Sequence, residues 1–572
     1  MIEPIWKSKK VNEESVLNIA DEFDLPQTIA QVMSIKGIES REYSRSFFYP
    51  NKNSLHNPFL MQDMEKAVNR LIYSINNKET ILVFGDYDVD GTSSAAFLTL
   101  FFRSIDVDIH YYIPNRENEG YGLSKSGIDY AINIGAKILI TCDCGIVDFE
   151  EISYATEKKL DVIVTDHHKQ GKKLPDAYAI VNPNRNDCNY PFKGLCGAGV
   201  VFKLALAICE KLEINIEKAW NHSDIITLGI VADLVPIIDE NRVIVQNGIE
   251  KIEKGNNLGI LALRKVGGLS DKNITVGRLV FWIAPKINAA GRLGDASRAV
   301  KLLTTKNLVF AMDRATELEK ENNKRKDITF QIIQEAIRMV ENECNLENEK
   351  IIVLKNENWH QGVIGIVASR IKEIYSRPVI IITMDEKEGK GSCRSISGFD
   401  IVEALNDCKE LLIGHGGHPM AAGLSINKKN YLKFKKEIIK YANNNIPIEK
   451  LTPIIHFDME LKLEEVNHRM IKFLNALEPY GPGNSRPIFV SRNLYVDGIP
   501  KLLGKDQNTL KLFVKQDKTP FESIGFNMAE YYEKLVQNTS IDIAYVINEN
   551  EWNGKKSIQL ELKDIKLGTK NV

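Results

Sequence analysis

The chain has 572 residues, 44% of them apolar and 26% charged, with 74 basic against 76 acidic side chains. That length allows three or four domains, each with its own core, and the composition is ordinary for a globular protein. No run of about 18 apolar residues offers a membrane span, the opening MIEPIWKSKKVNEES lacks the apolar core of a signal peptide, and a net charge of −2 leaves any nucleic-acid binding to a local patch.

The expectation is a cytoplasmic protein with no membrane partner. Eight cysteines without a CxxC pair favour reduced thiols over disulfides or a structural zinc. Residues 1–60 read as an N-terminal segment with helical stretches and no identifiable chemistry. The next domain is expected over 61–304, and within it residues 81–182 alternate short β-branched runs with helical stretches. ILVF (81–84) is followed by an apolar helix pattern from Ser93 to Phe102, then by VDIHYYI (107–113), KILIT (137–141), DVIVT (161–165) and AIV (179–181). Fully apolar strands separated by helices predict an α/β domain with a parallel sheet covered on both faces. Ligands of such sheets gather at the carboxyl ends of the strands.

Those ends carry the acids. GDYDVDGTSS presents Asp86, Asp88 and Asp90; TCDCG presents Asp143; VTDHHK presents Asp166, His167 and His168; LGIVADLVP sets Asp233 in another apolar frame. Any one aspartate after a strand is an ordinary helix N-cap, and a lone HisHis pair an ordinary loop feature. DxDxDG also opens like an EF-hand loop, but it follows a β-run and Phe97 stands where the twelfth-position Glu belongs. Four clusters together imply something else, because gathered carboxylates repel unless cations neutralise them. Carboxylate and imidazole donors without thiolates suit Mn²⁺ or Mg²⁺, and two such ions about 3.5–4 Å apart form a clamp for phosphoester hydrolysis.

Residues 305–345 lack proline and predict one connecting helix of about 60 Å, with a solvated charged face. Residues 346–447 return to strands (KIIVLK, RPVIIITM, AAGLSI) and to the glycine-punctuated WHQGVIGIVASR, GSCRSISGFD and GHGGHPMAAG, a smaller α/β domain. Backbone N–H groups of glycine turns near Ser392, Arg394, His415 and His418 would suit a phosphate. Residues 451–572 hold several short strands and turns and predict a small β-barrel. Its stretch 501–518 has five lysines against two aspartates around Phe513, the local basic patch that the global charge hides.

These motifs resemble the DHH phosphoesterases, the family named for the tripeptide seen here as Asp166, His167 and His168. Within it they look like the branch of single-strand-specific DNA exonucleases that digest from the 5′ end. The resemblance spans nearly the whole chain and includes IPNRENEGYGL, LCGAGVVFKLALA and APKINAAGRLGDA. It implies metal ligation by Asp88, Asp90, Asp143, His167 and Asp233, with Asp86, Asp166 and His168 as catalytic groups beside the metals. It also implies substrate contacts from Arg116, Arg292, His360, Ser392, Arg394, His415 and His418, a DHH-associated domain facing the metals across a narrow cleft, and an oligonucleotide-binding (OB-like) barrel. The implied protein is a monomer with two Mn²⁺ or Mg²⁺ ions per site. It would act on single-stranded DNA in repair and recombination, in company with a helicase and a single-strand-binding protein. The alternatives are a family member acting on short oligonucleotides or cyclic dinucleotides, and a non-catalytic replication scaffold.

Overall fold

The structure is a computed structural model that describes residues 3–568 apart from 117, 271, 518, 536–538 and 553–554. The chain divides into two compact units. Unit one holds residues 49–328 and 479–485; unit two holds the segment before residue 49, residues 329–478 and the chain from 486 on.

Unit one is built on a five-stranded sheet of β1 (Ile81–Gly85), β2 (Ile109–Tyr112), β3 (Ile138–Cys142), β4 (Asp161–Thr165) and β5 (Ala179–Val181). The strands are all parallel in the order β2-β1-β3-β4-β5. Residues of β1 and β3 are buried throughout, as a doubly covered sheet requires. Helix α1 (Val89–Ser104) is apolar nearly all round, and with α2 (Gly197–Lys211) and α3 (Ser223–Ala232) it forms a buried helical layer. Phe97, Phe101 and Phe202 fill that layer, and Phe202 meets Trp220 edge-on at 4.9 Å. Unit one also contains α4 (Asp239–Lys254), α5 (Ala284–Leu293) and the first part of α6 (Leu308–Glu343). At 36 residues α6 is about 54 Å long.

Two sequence expectations change here. LGIVA, which frames Asp233, is the end of helix α3 rather than a strand, because a short apolar run buried on every side has no periodicity to tell the two apart. GHGGH, expected as a glycine turn, lies in an edge strand of the second sheet. That sheet contains β6 (Ile352–Asn356), β7 (Val379–Met384), β8 (Glu388–Arg394), β9 (Leu412–His418) and β10 (Ala421–Asn427), in the order β9-β10-β8-β7-β6. Pairing with β10 across the short reversal at Pro419–Met420 holds this segment in the sheet, with Gly417 at φ 140°.

The remainder of unit two closes a five-stranded barrel from β11 (Phe489–Leu503), β12 (Thr509–Lys515), β13 (Phe521–Phe526), β14 (Ser540–Trp552) and β15 (Lys555–Leu567). Pairing of β11 with β14 completes the ring. The N-terminal segment belongs to this unit. Ile5–Ser8 pairs in parallel with Ile454–Phe457, and Trp6 Nε1 donates to Asp564 at 2.7 Å.

Candidate metal centre

Strands β1, β3 and β4 are neighbours, so their carboxyl ends deliver side chains to one edge. Asp88 caps α1, its Oδ1 accepting from the Asp90 and Gly91 amides at 2.8 and 3.1 Å. Gly91 allows the helix to start this close to the strand, since a Cβ there would lie 2.4 Å from the Asp86 backbone. Asp90 is buried and receives the amides of Gly197 and Ala198, the first residues of α2, at 2.7 and 2.8 Å. Small residues make that approach possible: a Cβ on Gly229 of α3 would sit 2.7 Å from Asp90 Oδ1. Asp143 occupies the left-handed region at φ 64°, a conformation that a non-glycine residue adopts at an energetic cost.

The ligand-capable atoms converge in three overlapping groups, each within 4.8 Å: Asp86, Asp88 and Asp143; Asp90, His167 and Asp233; Asp143, His167 and His168. His167 Nε2 stands 3.1 Å from Asp143 Oδ1 and 3.7 Å from Asp233 Oδ2. Burial, then the charges of Asp90, Asp88, Asp86 and Asp233, push Asp143 well above the usual carboxylate range. Asp86 is raised by burial and Asp88, and Asp233 goes up to about 8 through burial, Asp90 and Asp88. These acids disfavour one another's charge. Oδ1 of Asp86 is buried without a hydrogen bond among the described residues, and Oδ1 of Asp143 faces the His167 ring, an arrangement that a bound cation would stabilise. The donors fit a hard divalent ion. The thiols around the site, Cys142, Cys144 and Cys196, which bonds Asp90, are buried and pushed well above their usual range, so no thiolate competes.

Asp166 belongs to the scaffold of the site rather than to its reacting face. Its oxygens take the amides of His167, His168 and Ile146 at 2.7–3.0 Å and the His168 ring Nδ1 at 2.7 Å. Burial lowers His168, but the bond and charge of Asp166 outweigh it and lift the imidazole to about 9. The sequence reading missed the groups that hold this loop. Tyr121 Oη lies 3.2 Å from His168 Nδ1 and donates to the Asp143 carbonyl, while Asn182 and Asn184 donate to the His168 and His167 carbonyls at 2.9 and 2.6 Å. The available signals were the aromatic residue in GYGL and the NPN after AIV.

Arginines gather at the same edge. Arg116 lies over the Tyr87 ring at 5.2 Å. Arg292 is brought close by Gly291, where a Cβ would meet the Tyr87 carbonyl at 2.6 Å. Burial and the like charges of Arg116 and Arg325 lower Arg292 to about 10. Arg325, from the charged centre of α6, was not anticipated. The other expected substrate residues belong to unit two. Arg394 Nη1 and Nε donate to Ser392 and Ser369 at 3.1 Å beside Gly365, in the first turn of the helix Ile364–Tyr375, and no carboxylate among the described residues pairs with Arg394. His415 Nε2 meets Asn406 Oδ1 at 2.8 Å, His360 Nδ1 accepts the Gly362 amide, and His418 is exposed at the end of β9.

The barrel patch is less basic than its sequence. Lys511 pairs with Glu522 and Lys515 with Asp497, and Lys518 lies outside the described residues. The outward face of β11–β13 instead shows Tyr495, Phe513 and Phe526, all exposed, with Lys511 Nζ 5.8 Å from the Phe513 ring.

Comparison with known proteins agrees with this geometry. Family models match as the N-terminal domain of the DHH family over residues 80–230, the DHHA1 domain over 348–444 and the RecJ OB domain over 457–564. The single-stranded-DNA-specific exonuclease RecJ of Bacillus subtilis is 33% identical over 98% of this chain and 70% of its own length. The RecJ of Escherichia coli is 33% identical over 95% of this chain and 96% of its own length. The chain belongs to the RecJ family. A crystal structure of RecJ with Mn²⁺ from Thermus thermophilus matches 99% of this chain and 80% of that one, with a TM-score of 0.84 at 26% identity. Another, of exonuclease RecJ bound to manganese, matches 68% of this chain and 96% of that one at 32% identity and a TM-score of 0.60. The α/β fold with its parallel sheet, second sheet domain and closed barrel is therefore that of the RecJ family.

Proposed function

We propose that the chain is a metal-dependent exonuclease that degrades single-stranded DNA from the 5′ end and releases 5′-mononucleotides, serving repair and recombination in the cytoplasm. The observation that carries this reading is the convergence of five aspartates and two histidines into three groups of mutually close ligand atoms. The names of the relatives and the manganese in the similar structures support it. Asp88, Asp90, Asp143, His167 and Asp233 would hold two Mn²⁺ or Mg²⁺ ions, with Asp86 beside them. Bound there, such ions supply Lewis-acid polarisation of the phosphoryl oxygens and lower the pKa of water.

The chain's own groups do the rest. His168, fixed by Asp166 and Tyr121, offers a hydrogen-bond donor where negative charge grows on the phosphate. Arg116 and Arg292, joined by Arg325, attract the strand's phosphates, and Arg394 with Ser392 takes the terminal 5′-phosphate through charge-assisted bonds. Tyr495 and Phe513 of the barrel give bases a stacking surface. A helicase that unwinds duplex and a single-strand-binding protein are the fitting partners.

The test is a single-stranded oligonucleotide labelled separately at each end and incubated with Mn²⁺ or Mg²⁺. Release of a labelled mononucleotide first from the 5′ end supports the reading. Release first from the 3′ end, or no metal-dependent release, contradicts it.

A further inference from the structure

Ahead of α5 the backbone leaves the α-helical pattern. Leu279–Ile283 form a π-turn in which the Ala284 amide bonds the Leu279 carbonyl. Such turns are rare and concentrate at functional sites. Pro285 has no N–H, so the Phe281 carbonyl lacks its usual donor four residues on. The Lys286 ammonium, buried and paired with Glu319 of α6 at 2.8 Å, donates to the Trp282 carbonyl and fixes the turn. This anchored turn pushes out two consecutive large aromatics, Phe281 at 75% exposure and Trp282 at 47%. Lys272 Nζ stands 5.5 Å from the centre of the Trp282 ring, and the three-residue helix just before carries Arg278.

We propose that Phe281 and Trp282 form a stacking platform for the bases of the single strand, downstream of the nucleotide being removed. The inference rests on the exonuclease reading above and extends it. Exposed aromatics beside cations are the pattern by which proteins hold single strands without regard to sequence: rings take the bases, and Lys272 and Arg278 face the backbone phosphates. A protein partner that covered these rings would lose affinity on aromatic truncation without any dependence on strand length, which the experiment below separates from base stacking. The platform is continuous with the phosphate-binding edge, since α5 runs from this turn to Arg292. Ten residues of helix are about 15 Å, so the rings stand away from the nucleotide being removed, and a 12-mer engages them more fully than a trinucleotide held at its 5′ end.

The experiment measures equilibrium binding of 5′-phosphorylated oligothymidylates of 3 and 12 nucleotides to the full chain, with chelator present to prevent cleavage. Wild type is compared with Phe281→Ala/Trp282→Ala and with the aromatic control Phe281→Tyr/Trp282→Tyr. The alanine pair is expected to lose at least about tenfold in affinity for the 12-mer and to bind the trimer within about twofold of wild type, while the tyrosine pair keeps most of the 12-mer affinity. Equal 12-mer binding by the alanine pair, or equal losses at both lengths, overturns the platform. So does a change in sedimentation showing that the rings join two copies of the chain. A wild type that binds neither length refutes the exonuclease reading itself, a different outcome from failure of the platform alone.

Discussion

Gly197, the first residue of α2, touches two of the proposed ligands at once. A Cβ at this position would lie 2.6 Å from Asp143 Cβ and 3.0 Å from Asp90 Oδ2. Carbon atoms pack at about 3.5–4.0 Å, so Gly197→Ala forces α2 and the end of β3 apart by about 1 Å. Overpacking of this kind costs about 1–3 kcal/mol of stability. The larger effect falls on chemistry, because a misplacement of about 1 Å can cost about 10²-fold in rate. The expected result is a kcat on 5′-phosphorylated single strands reduced about 100-fold, strand affinity within about threefold of wild type, and a modestly lower urea midpoint. Gly199→Ala is the control, since the nearest atoms to its Cβ belong to the Leu195 side chain, at 3.0 Å and beyond, and not to a proposed ligand. Its kcat should stay within about fivefold of wild type. A folded Gly197→Ala protein with kcat within about threefold of wild type would refute the claim that this contact sets the positions of Asp90 and Asp143.

Arg394→Ala should reduce cleavage of 5′-phosphorylated strands at least about tenfold, the worth of one charge-assisted contact of about 1.5–3 kcal/mol, and should narrow the preference over 5′-hydroxyl strands; an unchanged ratio removes Arg394 from the end-binding pocket. Tyr495→Ala and Phe513→Ala should each weaken binding of long single strands at least about fivefold, and unchanged affinity for both would exclude that barrel face from the DNA path. Burial raises Asp224 in α3 from 3.8 to about 6, against the Ile225 amide and Lys251 of α4. An acid whose folded pKa exceeds its unfolded one loses stability as pH rises from about 4 to 6, and the penalty is complete above that window. Asp224→Asn, which keeps an acceptor for the amide, should then stabilise the protein by about 1–3 kcal/mol at pH 7.5 and by little at pH 4.5, measured by urea unfolding; a gain larger at the lower pH would contradict the assignment.

The sequence made the parallel sheet of unit one legible because its strands are apolar runs bounded by acids, and the same boundary made Asp86, Asp88, Asp90, Asp143, His167 and His168 visible as one edge. Asp233 was found for an incomplete reason, since its apolar frame is a helix end. Asp166 was expected as a catalytic group, and only coordinates reveal that its oxygens are already taken by three amides and an imidazole. Tyr121, Asn182, Asn184 and Arg325 act through distant contacts that leave no periodic mark. The pairing of Lys511 and Lys515 with acids on neighbouring strands likewise depends on register, which a count of lysines does not contain.

The most direct measurement of the central claim is made on Asp143→Ala, in parallel titrations of Mn²⁺ by calorimetry and of 5′-labelled single-strand cleavage. Because Asp143 joins two of the three ligand groups, the account predicts loss of at least one Mn²⁺ site and a fall in cleavage of at least about 10³-fold, with single-strand affinity kept within about tenfold. A folded Asp143→Ala protein with wild-type Mn²⁺ stoichiometry and near-normal cleavage would contradict it.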